Sequence, residues 1–342
     1  MKKVCLLFRS KKRNRFSIEN MFENVEPYLK EHYNIEKKYI PENKYLSLSK
    51  FFKNVMYTLK VKADIIHVTG ENYFCACFTP RKKTVLTIHD YVALKDLKGI
   101  GYFLDWLLMY YIPIKRSAYI TCNSYKTYCD TVEKFPWCKE KTYVIPVSIS
   151  DSFTETKKEF NEKKPVILVI GSTPNKNITR IIQALEGITC KLDLVGKLTD
   201  EQTRLLIEKK IDYDCVTGIS NEEILHHYQN CDIVCFPSTY EGFGMPVVEG
   251  QAMGRVVLTS DMEPMKSVSG GAACLVDPYS VDSIRDGIIK IISDSDYRNR
   301  LIRDGLVNCQ KYRNRVTAEK YMEIYQKIEG KTKNLQKLSN VV

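Results

Sequence analysis

The sequence predicts an α/β protein with two doubly wound parallel sheets, one in each half of the chain. Short apolar runs of strand length alternate with longer helical segments along most of the 342 residues, a pattern typical of βα units. A polar stretch at residues 151–164 interrupts this alternation and indicates a linker. We therefore expect one domain at residues 1–150 and a second at residues 165–325, with a helix end and tail at residues 326–342.

Apolar runs predict the strands of the first domain at residues 3–8, 35–40, 64–69, 84–90, 119–122 and 141–147. Helices are expected at residues 17–32, at residues 101–116 and after Ser124, which has the composition of an N-cap. The helix at 101–116 is aromatic and apolar on most faces, so we expect it to be buried rather than to touch a membrane or partner. Pro113 is expected to kink or end it.

The alternation restarts after the linker. Strands are predicted at residues 166–170, 192–195, 213–217, 233–236 and 256–259. Helices are predicted to begin at residues 177, 199, 221 and about 245, and residues 280–330 are expected to be largely helical. In open sheets of this kind, ligands gather beyond the carboxyl ends of the strands.

The most informative stretch is residues 231–261, CDIVCFPSTYEGFGMPVVEGQAMGRVVLTSD. It predicts a strand, a glycine-rich turn, a helix that opens near Met245, and a second strand. Such a turn presents free backbone N–H groups and the positive end of a helix dipole, which suit a diphosphate or a sugar hydroxyl. A carboxylate such as Glu249 can accept hydrogen bonds from both vicinal hydroxyls of a ribose. The residues alone allow an ordinary glycine turn and a solvated helix acid equally well.

The segment from Glu241 to Glu249 resembles the Glu-x7-Glu signature of the family-4 retaining glycosyltransferases, which include bacterial group 1 glycosyl transferases. Three further segments resemble family motifs in the right order: residues 171–177 (GSTPNKN), 254–257 (GRVV) and 273–278 (ACLVDP). The resemblance covers most of residues 64–325. It implies the GT-B fold, in which two doubly wound Rossmann-like domains face each other across a cleft.

The resemblance also implies roles for individual residues. The donor-binding candidates are Gly171, Lys176, Ile219, Gly244, Met245 and Glu249. By resemblance, Lys176 contacts the donor diphosphate, Ile219 lies against the base, and Glu249 binds the ribose. The catalytic candidates are Glu241, which would hold the transferring sugar, and His89, which resembles the family histidine near that sugar.

Two of these candidates also have a purely structural explanation. Lys176 is also compatible with a solvated lysine in a turn, and Ile219 with an ordinary turn before a helix cap at Ser220. Many relatives carry an arginine after the first loop glycine, where this chain has Ser172. One phosphate contact is therefore missing or is supplied from elsewhere in the chain.

The resemblance implies transfer of a hexose-type sugar from a UDP- or GDP-sugar to a glycan or lipid-linked acceptor, in bacterial surface polysaccharide synthesis. The alternatives are a nucleotide-sugar-binding protein of the same fold without turnover and a nucleotide-sugar epimerase. No Asp-x-Asp motif stands in a fitting context, so we expect neither a metal nor another cofactor. A complete G-x-G-x-x-G fingerprint is also missing, which disfavours a dinucleotide dehydrogenase.

The net charge of +11 is concentrated near the N-terminus, with its densest cluster at residues 2–15. This cluster is compatible with contact to an anionic membrane through Lys11, Lys12, Arg13 and Arg15, aided by Trp106, or with an ordinary solvated face. No nucleic-acid-binding motif accompanies it, so we expect no nucleic-acid partner.

The 12 cysteines form no C-x-x-C pair, which favours free thiols in a reducing cytoplasm. We expect a cytoplasmic protein, with the inner face of the cell membrane as a peripheral location.

Overall fold

The computed structural model describes residues 1–11, 17–42, 47–91, 94 and 98–331. Within these residues the strands form two six-stranded sheets, and every strand pair is parallel. The chain divides into two compact units. One contains Met1–Ser148 together with the segment that begins at Asn314, and the other contains Ile149–Arg313. The predicted α/β class with two doubly wound sheets is therefore confirmed.

The first unit has the strand order β2-β1-β3-β4-β5-β6. Its strands are β1 (Lys3–Phe8), β2 (Asn34–Tyr39), β3 (Ile65–Val68), β4 (Thr84–Ile88), β5 (Tyr119–Cys122) and β6 (Thr142–Val144). Strands β3 and β4 are buried along their whole length. Their sequences, IIHV and TVLTI, are mostly apolar, because helices cover both faces of a parallel sheet.

The helices that precede β6 are α1 (Ser17–Lys30), α2 (Leu48–Leu59), α3 (Gly99–Asp105), α4 (Ile112–Arg116) and α5 (Tyr125–Lys134). A π-helical segment, Trp106–Tyr111, joins α3 to α4. The predicted helix therefore continues past Pro113, which stands near the start of α4 directly after the π-helical segment. Ser124 caps α5 as expected, since its side chain accepts a hydrogen bond from the backbone N–H of Thr127.

The second unit has the strand order β12-β11-β10-β7-β8-β9. Its strands are β7 (Val166–Ile170), β8 (Lys191–Val195), β9 (Asp212–Val216), β10 (Ile233–Phe236), β11 (Val256–Ser260) and β12 (Cys274–Val276). Its helices are α6 (Ile178–Ala184), α7 (Asp200–Glu208), α8 (Asn221–Asn230), α9 (Met245–Ala252), α10 (Met265–Ser269), α11 (Val281–Ser293) and α12 (Ser295–Asn308). The chain leaves β7 towards β8 and leaves β10 towards β11, so the crevice for a ligand lies where these neighbouring strands end.

The last described helix, α13 (Asn314–Ile328), belongs to the first unit. This differs from the sequence-based boundary, which kept residues up to 325 in the second domain. Tyr321 and Tyr325 of α13 are fully buried. They pack beside His67 of β3, whose Nδ1 lies 2.8 Å from the Tyr325 hydroxyl. The helix completes the apolar cover of one face of the first sheet.

The segment predicted as a linker packs within the second unit. Lys158 pairs with the buried carboxylate of Asp232. Arg255 donates from Nη1 to the backbone oxygen of Thr156 at 2.9 Å and from Nη2 to its hydroxyl at 2.7 Å. These bonds assign residues 151–164 to the second unit rather than to a free connection.

The predicted basic cluster lies largely outside the described residues, which include Lys11 but not Lys12, Arg13 or Arg15. The Lys11 ammonium lies 4.4 Å from the ring centroid of Tyr39. Among the residues that the structure describes, no helix combines the length and apolarity that a membrane span requires.

Removing the Tyr325 hydroxyl will destabilise the first unit. Both ring nitrogens of His67 are hydrogen-bonded, one to Tyr325 and the other to Thr87 at 2.7 Å. Tyr325→Phe leaves a buried nitrogen without its partner, which costs about 1–3 kcal/mol. Thermal unfolding followed by circular dichroism measures the loss. Tyr279→Phe is the matched control because Tyr279 is exposed. Equal midpoints for both variants would contradict the role of this bond.

Candidate active site at the carboxyl edge of the second sheet

The loop after β7 brings a lysine to the carboxyl edge of the sheet. Gly171 has φ +94°, and a Cβ there would lie 2.8 Å from Cε of Lys176, so the lysine stem packs against the glycine. Asn177 follows in a left-handed conformation and starts α6. Its Nδ2 donates to the backbone oxygens of Pro237 and Pro278 at 3.0 and 2.6 Å. These bonds tie the loop to the segments that follow β10 and β12.

Two predicted site residues from separate motifs form an ion pair. Lys176 Nζ donates to Glu241 Oε1 at 2.7 Å. Asn175 Nδ2 donates to the same oxygen at 3.0 Å and to the backbone oxygen of Tyr240 at 2.8 Å. The ammonium also lies 4.5 Å from the ring centroid of Phe236, at the end of β10. The loops after β7 and β10 therefore present an oriented cation, Lys176. An anion that binds there would share this lysine with the Glu241 carboxylate or would displace the carboxylate.

The glycine-rich turn leads directly into α9. Gly244, at φ +103°, is the N-cap, and Pro246 occupies the first turn, as expected from the sequence. A side chain at Gly244 would be strained at this φ. The turn therefore places Met245 at the first helical position, which is the positive end of the helix dipole.

Glu249 lies one turn into α9 and is held by a tyrosine. The hydroxyl of Tyr228, a fully buried residue of α8, donates to Glu249 Oε2 at 2.6 Å. Burial raises the pKa of Glu249 to about 7, and the Tyr228 bond and the Lys176 charge oppose this rise. The edge of the Phe153 ring packs against Tyr228, with ring centroids 5.3 Å apart. Sequence reasoning missed Tyr228, because a buried aromatic residue on a helix carries no signal of its partner.

Ile219 makes none of the hydrogen bonds described above for Lys176, Glu241 and Glu249. It lies half-buried in the turn after β9, which is separated from β7 by β8. Ser220 and Glu223 form a capping box at the start of α8, so local helix capping explains the turn. Its role against the base stays a prediction from the resemblance.

A second cation stands near the loop in which Ser172 replaces the family arginine. Arg180 of α6 donates from Nη1 to Asn177 Oδ1 at 2.9 Å. Its guanidinium carbon lies 5.8 Å from the Tyr279 ring centroid. Arg180 is therefore a candidate for the missing phosphate contact that the sequence could not locate.

His89 belongs to the first unit and follows β4. Its Nε2 lies 2.7 Å from the backbone oxygen of Thr69, and burial lowers the pKa of the ring. Because a carbonyl oxygen only accepts, Nε2 carries the proton and Nδ1 is the acceptor nitrogen. Gly70 permits this approach, since a Cβ there would come within 2.9 Å of Nε2. The structure thus describes a neutral, oriented imidazole.

Among the described residues, no group of three or more His, Cys, Asp or Glu side chains is placed to hold a metal ion.

The model of the family "Glycosyl transferases group 1" matches residues 151–306, which include every donor-site candidate. These residues are therefore similar to a group 1 glycosyl transferase domain. Among curated relatives, the serotype-specific mannosyltransferase WbdA of Escherichia coli is 23% identical over 281 residues, covering 74% of this chain and 34% of the relative. The O-antigen chain mannosyltransferase B of Escherichia coli is 25% identical over 162 residues, or 42% of this chain and 41% of the relative. The chain thus spans about a third of WbdA.

The similarity to solved structures covers both units of the chain. Anabaena Alr3699/HepE, in complex with UDP and glucose, covers 96% of this chain and 100% of its own, with a TM-score of 0.74 and 14% identity. WaaG, a glycosyltransferase involved in lipopolysaccharide biosynthesis, covers the same shares with a TM-score of 0.67 and 14% identity. At this identity the likeness shows the fold, and the predicted GT-B class is confirmed.

Loss of the Tyr228 hydroxyl will raise the pKa of Glu249. The hydrogen bond stabilises the ionised carboxylate, so Tyr228→Phe removes one of the two influences that hold the pKa down to about 7. Carbon NMR of carboxyl-labelled glutamate follows the titration directly. Tyr213→Phe, at a half-buried tyrosine of β9, is the control. The assignment fails if Glu249 titrates near 4.5, or if its midpoint does not move in Tyr228→Phe.

Proposed function

We propose that this protein is a retaining glycosyltransferase that moves a hexose-type sugar from a UDP- or GDP-sugar to a glycan or lipid-linked acceptor in the cytoplasm. The observation that carries the proposal is the contact between Lys176 and Glu241, which joins the phosphate-loop motif to the Glu-x7-Glu motif at the strand switch point. The mannosyltransferase relatives and the structural likeness to a UDP complex support it. Bacterial surface polysaccharide synthesis is the context that the relatives' names favour.

The donor is assigned to the second unit. Lys176 and the backbone amides of Gly244 and Met245 bind the diphosphate, because a cation and a helix N-terminus both favour negative charge. Tyr228 occupies one oxygen of Glu249. The other oxygen accepts hydrogen bonds from the ribose hydroxyls. Arg180 supplies the second cation that the loop lacks at Ser172.

The chemical step breaks the bond between the anomeric carbon and the diphosphate oxygen. A new bond forms between that carbon and the acceptor hydroxyl oxygen, on the same face of the sugar, and the hydroxyl proton passes to the departing diphosphate oxygen. Negative charge grows on the departing diphosphate, so Lys176 stabilises the transition state more than the ground state. We assign no covalent nucleophile. The cations of the chain itself take the electrostatic role, so the proposal includes no metal or other cofactor.

Glu241 changes partners when the donor binds. Its Oε1 accepts from both Lys176 and Asn175. When the diphosphate engages Lys176, the carboxylate becomes available to the hydroxyls of the transferring sugar. His89 is proposed to contact the same sugar through its neutral imidazole, as the family resemblance implies.

Lys176→Ala will weaken UDP or GDP binding. A charge-assisted hydrogen bond contributes about 1.5–3 kcal/mol, which corresponds to roughly one to two decades in Kd. Isothermal titration calorimetry of the nucleoside diphosphate measures the change. Lys163→Ala, at an exposed lysine of the same unit, is the control and should bind normally. Unchanged affinity in Lys176→Ala would remove this lysine from the donor site.

Glu241→Gln and Glu249→Gln will fail in different ways. Glu249 contacts the ribose, which does not react, so its loss mainly raises the donor KM. Glu241 faces the sugar on which positive charge develops, so its loss mainly lowers kcat. Steady-state kinetics with the donor identified by a thermal-shift screen of UDP- and GDP-sugars separates the two. Glutamine keeps the size and one acceptor oxygen, so the comparison isolates charge.

The same kinetics decide between the proposal and its alternatives. If both variants lose only donor affinity, Glu241 is a binding residue and the division of roles is wrong. Nucleotide binding without sugar transfer would favour a non-catalytic binding protein. Conversion of the donor sugar without an acceptor would favour an epimerase.

A further inference from the structure

Helix α8 carries the contacts that the proposed function assigns to the nucleoside half of the donor. The turn that contains Ile219 leads into this helix, and its buried Tyr228 donates to Glu249. The groups assigned to the diphosphate, Lys176 and the turn at Gly244, belong to other elements. The position of α8 therefore affects the base and ribose contacts without involving the diphosphate contacts.

Apolar packing holds α8 only weakly. The structure describes all ten residues of the helix, Asn221–Asn230, and Tyr228 alone among them is buried. Ile224 and Leu225 are half-buried. A helix with so little buried apolar surface shifts easily on its sheet unless directional bonds hold it. The polar contacts of its side chains thus decide where α8 lies.

One polar contact joins α8 to strand β8. His227 Nδ1 lies 2.7 Å from Asp193 Oδ2. An ionised carboxylate only accepts hydrogen bonds, so Nδ1 carries the proton and donates. Asp193 is buried and His227 is half-buried, so the bond is largely shielded from water. Leu192 and Leu194 point to the opposite face of the sheet, into the core cluster that includes residues of α6 and α11.

The acid in β8 is costly unless it is paired. The strand sequence KLDLV places Asp193 between two core leucines, and burial of a charge without a partner is strongly unfavourable. An apolar side chain at this position would avoid that cost. What the pair with His227 adds is direction, because a hydrogen bond constrains distance and angle where apolar contacts do not.

His227 and Tyr228 hold α8 from two directions. Neighbouring residues of a helix point about 100° apart, so His227 reaches β8 while Tyr228 reaches α9. Arg255 holds the end of the helix by donating to the backbone oxygens of Tyr228 and Gln229, each at 2.9 Å. The bond to Glu249 measures 2.6 Å, so a shift of Tyr228 by about 1 Å would take it beyond hydrogen-bond length.

We propose that Asp193 and His227 are positioning residues of the donor site. Their bond holds α8 where Tyr228 orients Glu249, and it also holds the turn at Ile219 against the base. Neither side chain touches the donor. This role rests on the proposed function, which assigns Glu249 to the ribose and Ile219 to the base. Loss of the bond should therefore raise the donor KM and leave kcat unchanged.

Two substitutions of His227 test this role. The side-chain amide of asparagine can take the place of Nδ1 and donate to Asp193, whereas the amide of glutamine corresponds to Nε2. His227→Gln should weaken the binding of UDP or GDP about two- to tenfold, which is the effect of one lost hydrogen bond. His227→Asn should keep most of the affinity. Isothermal titration calorimetry of the full chain measures both.

Carbon NMR of carboxyl-labelled glutamate gives a second measurement, which needs no ligand. In His227→Gln the bond from Tyr228 weakens, so the pKa of Glu249 should rise above its value of about 7, as in Tyr228→Phe. The titratable groups that act on Glu249 are Tyr228 and Lys176, and the substitution changes neither. His227→Asn should titrate like the wild type. A general loss of stability would not distinguish the two variants.

Matched variants separate the pair from general effects. His226→Gln changes the adjacent, exposed histidine of the same helix and should bind and titrate normally. Asp193→Leu removes the other partner of the bond and should reproduce His227→Gln. The double variant should bind no more weakly than either single variant, because both remove one shared contact. Thermal unfolding shows whether each variant is folded, and the histidine variants are sufficient if Asp193→Leu is not.

Several results would overturn the inference. Normal binding and a normal Glu249 titration in His227→Gln would show that the bond does not place α8. Equal losses in His227→Asn and His227→Gln, or in His226→Gln, would show that the position of the donor nitrogen is irrelevant. A fall in kcat at an unchanged donor KM would contradict the division of contacts. If neither UDP nor GDP binds the wild type, the proposed function fails, and the Glu249 titration alone then decides whether the pair positions α8.

Discussion

The pairing of β7 with β10 is the constraint on which the proposed donor site depends. Ile167 lies beside Ile233 and Leu168 beside Val234, so the two strands end close together at one edge of the sheet. Each strand then turns away from the other to reach its next neighbour. The loops that follow them meet over the resulting crevice, where Lys176 contacts Glu241. Without this change of direction between β7 and β10, a helical connection would cover the same edge of the sheet.

Buried charges at the opposite edge hold β10 in this position. Asp232, immediately before β10, accepts hydrogen bonds from Lys158 and from the backbone N–H groups of Asn161 and Val166. Arg255, immediately before β11, donates to the backbone oxygens of Tyr228 and neighbouring residues. A buried ion is tolerated when such hydrogen bonds satisfy it, and removing its partners is costly. These networks also explain why the polar segment before β7 packs on the unit.

The two glutamates of the Glu-x7-Glu signature have the same side chain but lie in different environments, which give them different properties. Glu241 lies in a turn and receives a cation and an amide. Glu249 lies inside a helix on a buried tyrosine, and its pKa rises to about 7 because the carboxylate has lost solvent. Glu241 is thereby oriented as a charge, and the proposed function places it beside the sugar. The other depends on Tyr228 to remain an acceptor for hydroxyl groups near neutral pH.

Local sequence determined eleven of the twelve described strands, the glycine turn and most of the helix starts, because apolar periodicity and capping act over a few residues. It did not mark β12 or α2. It also marked Lys176, Glu241 and Glu249 as candidates through motif spacing. Only the tertiary structure decided that Lys176 and Glu241 touch, since 65 positions separate them in the chain and their contact requires the strand order. It likewise decided that α13 covers the first sheet and that α3 exposes Phe103. Periodicity shows that a helix has an apolar face, but the packing of distant elements decides whether protein or solvent meets that face.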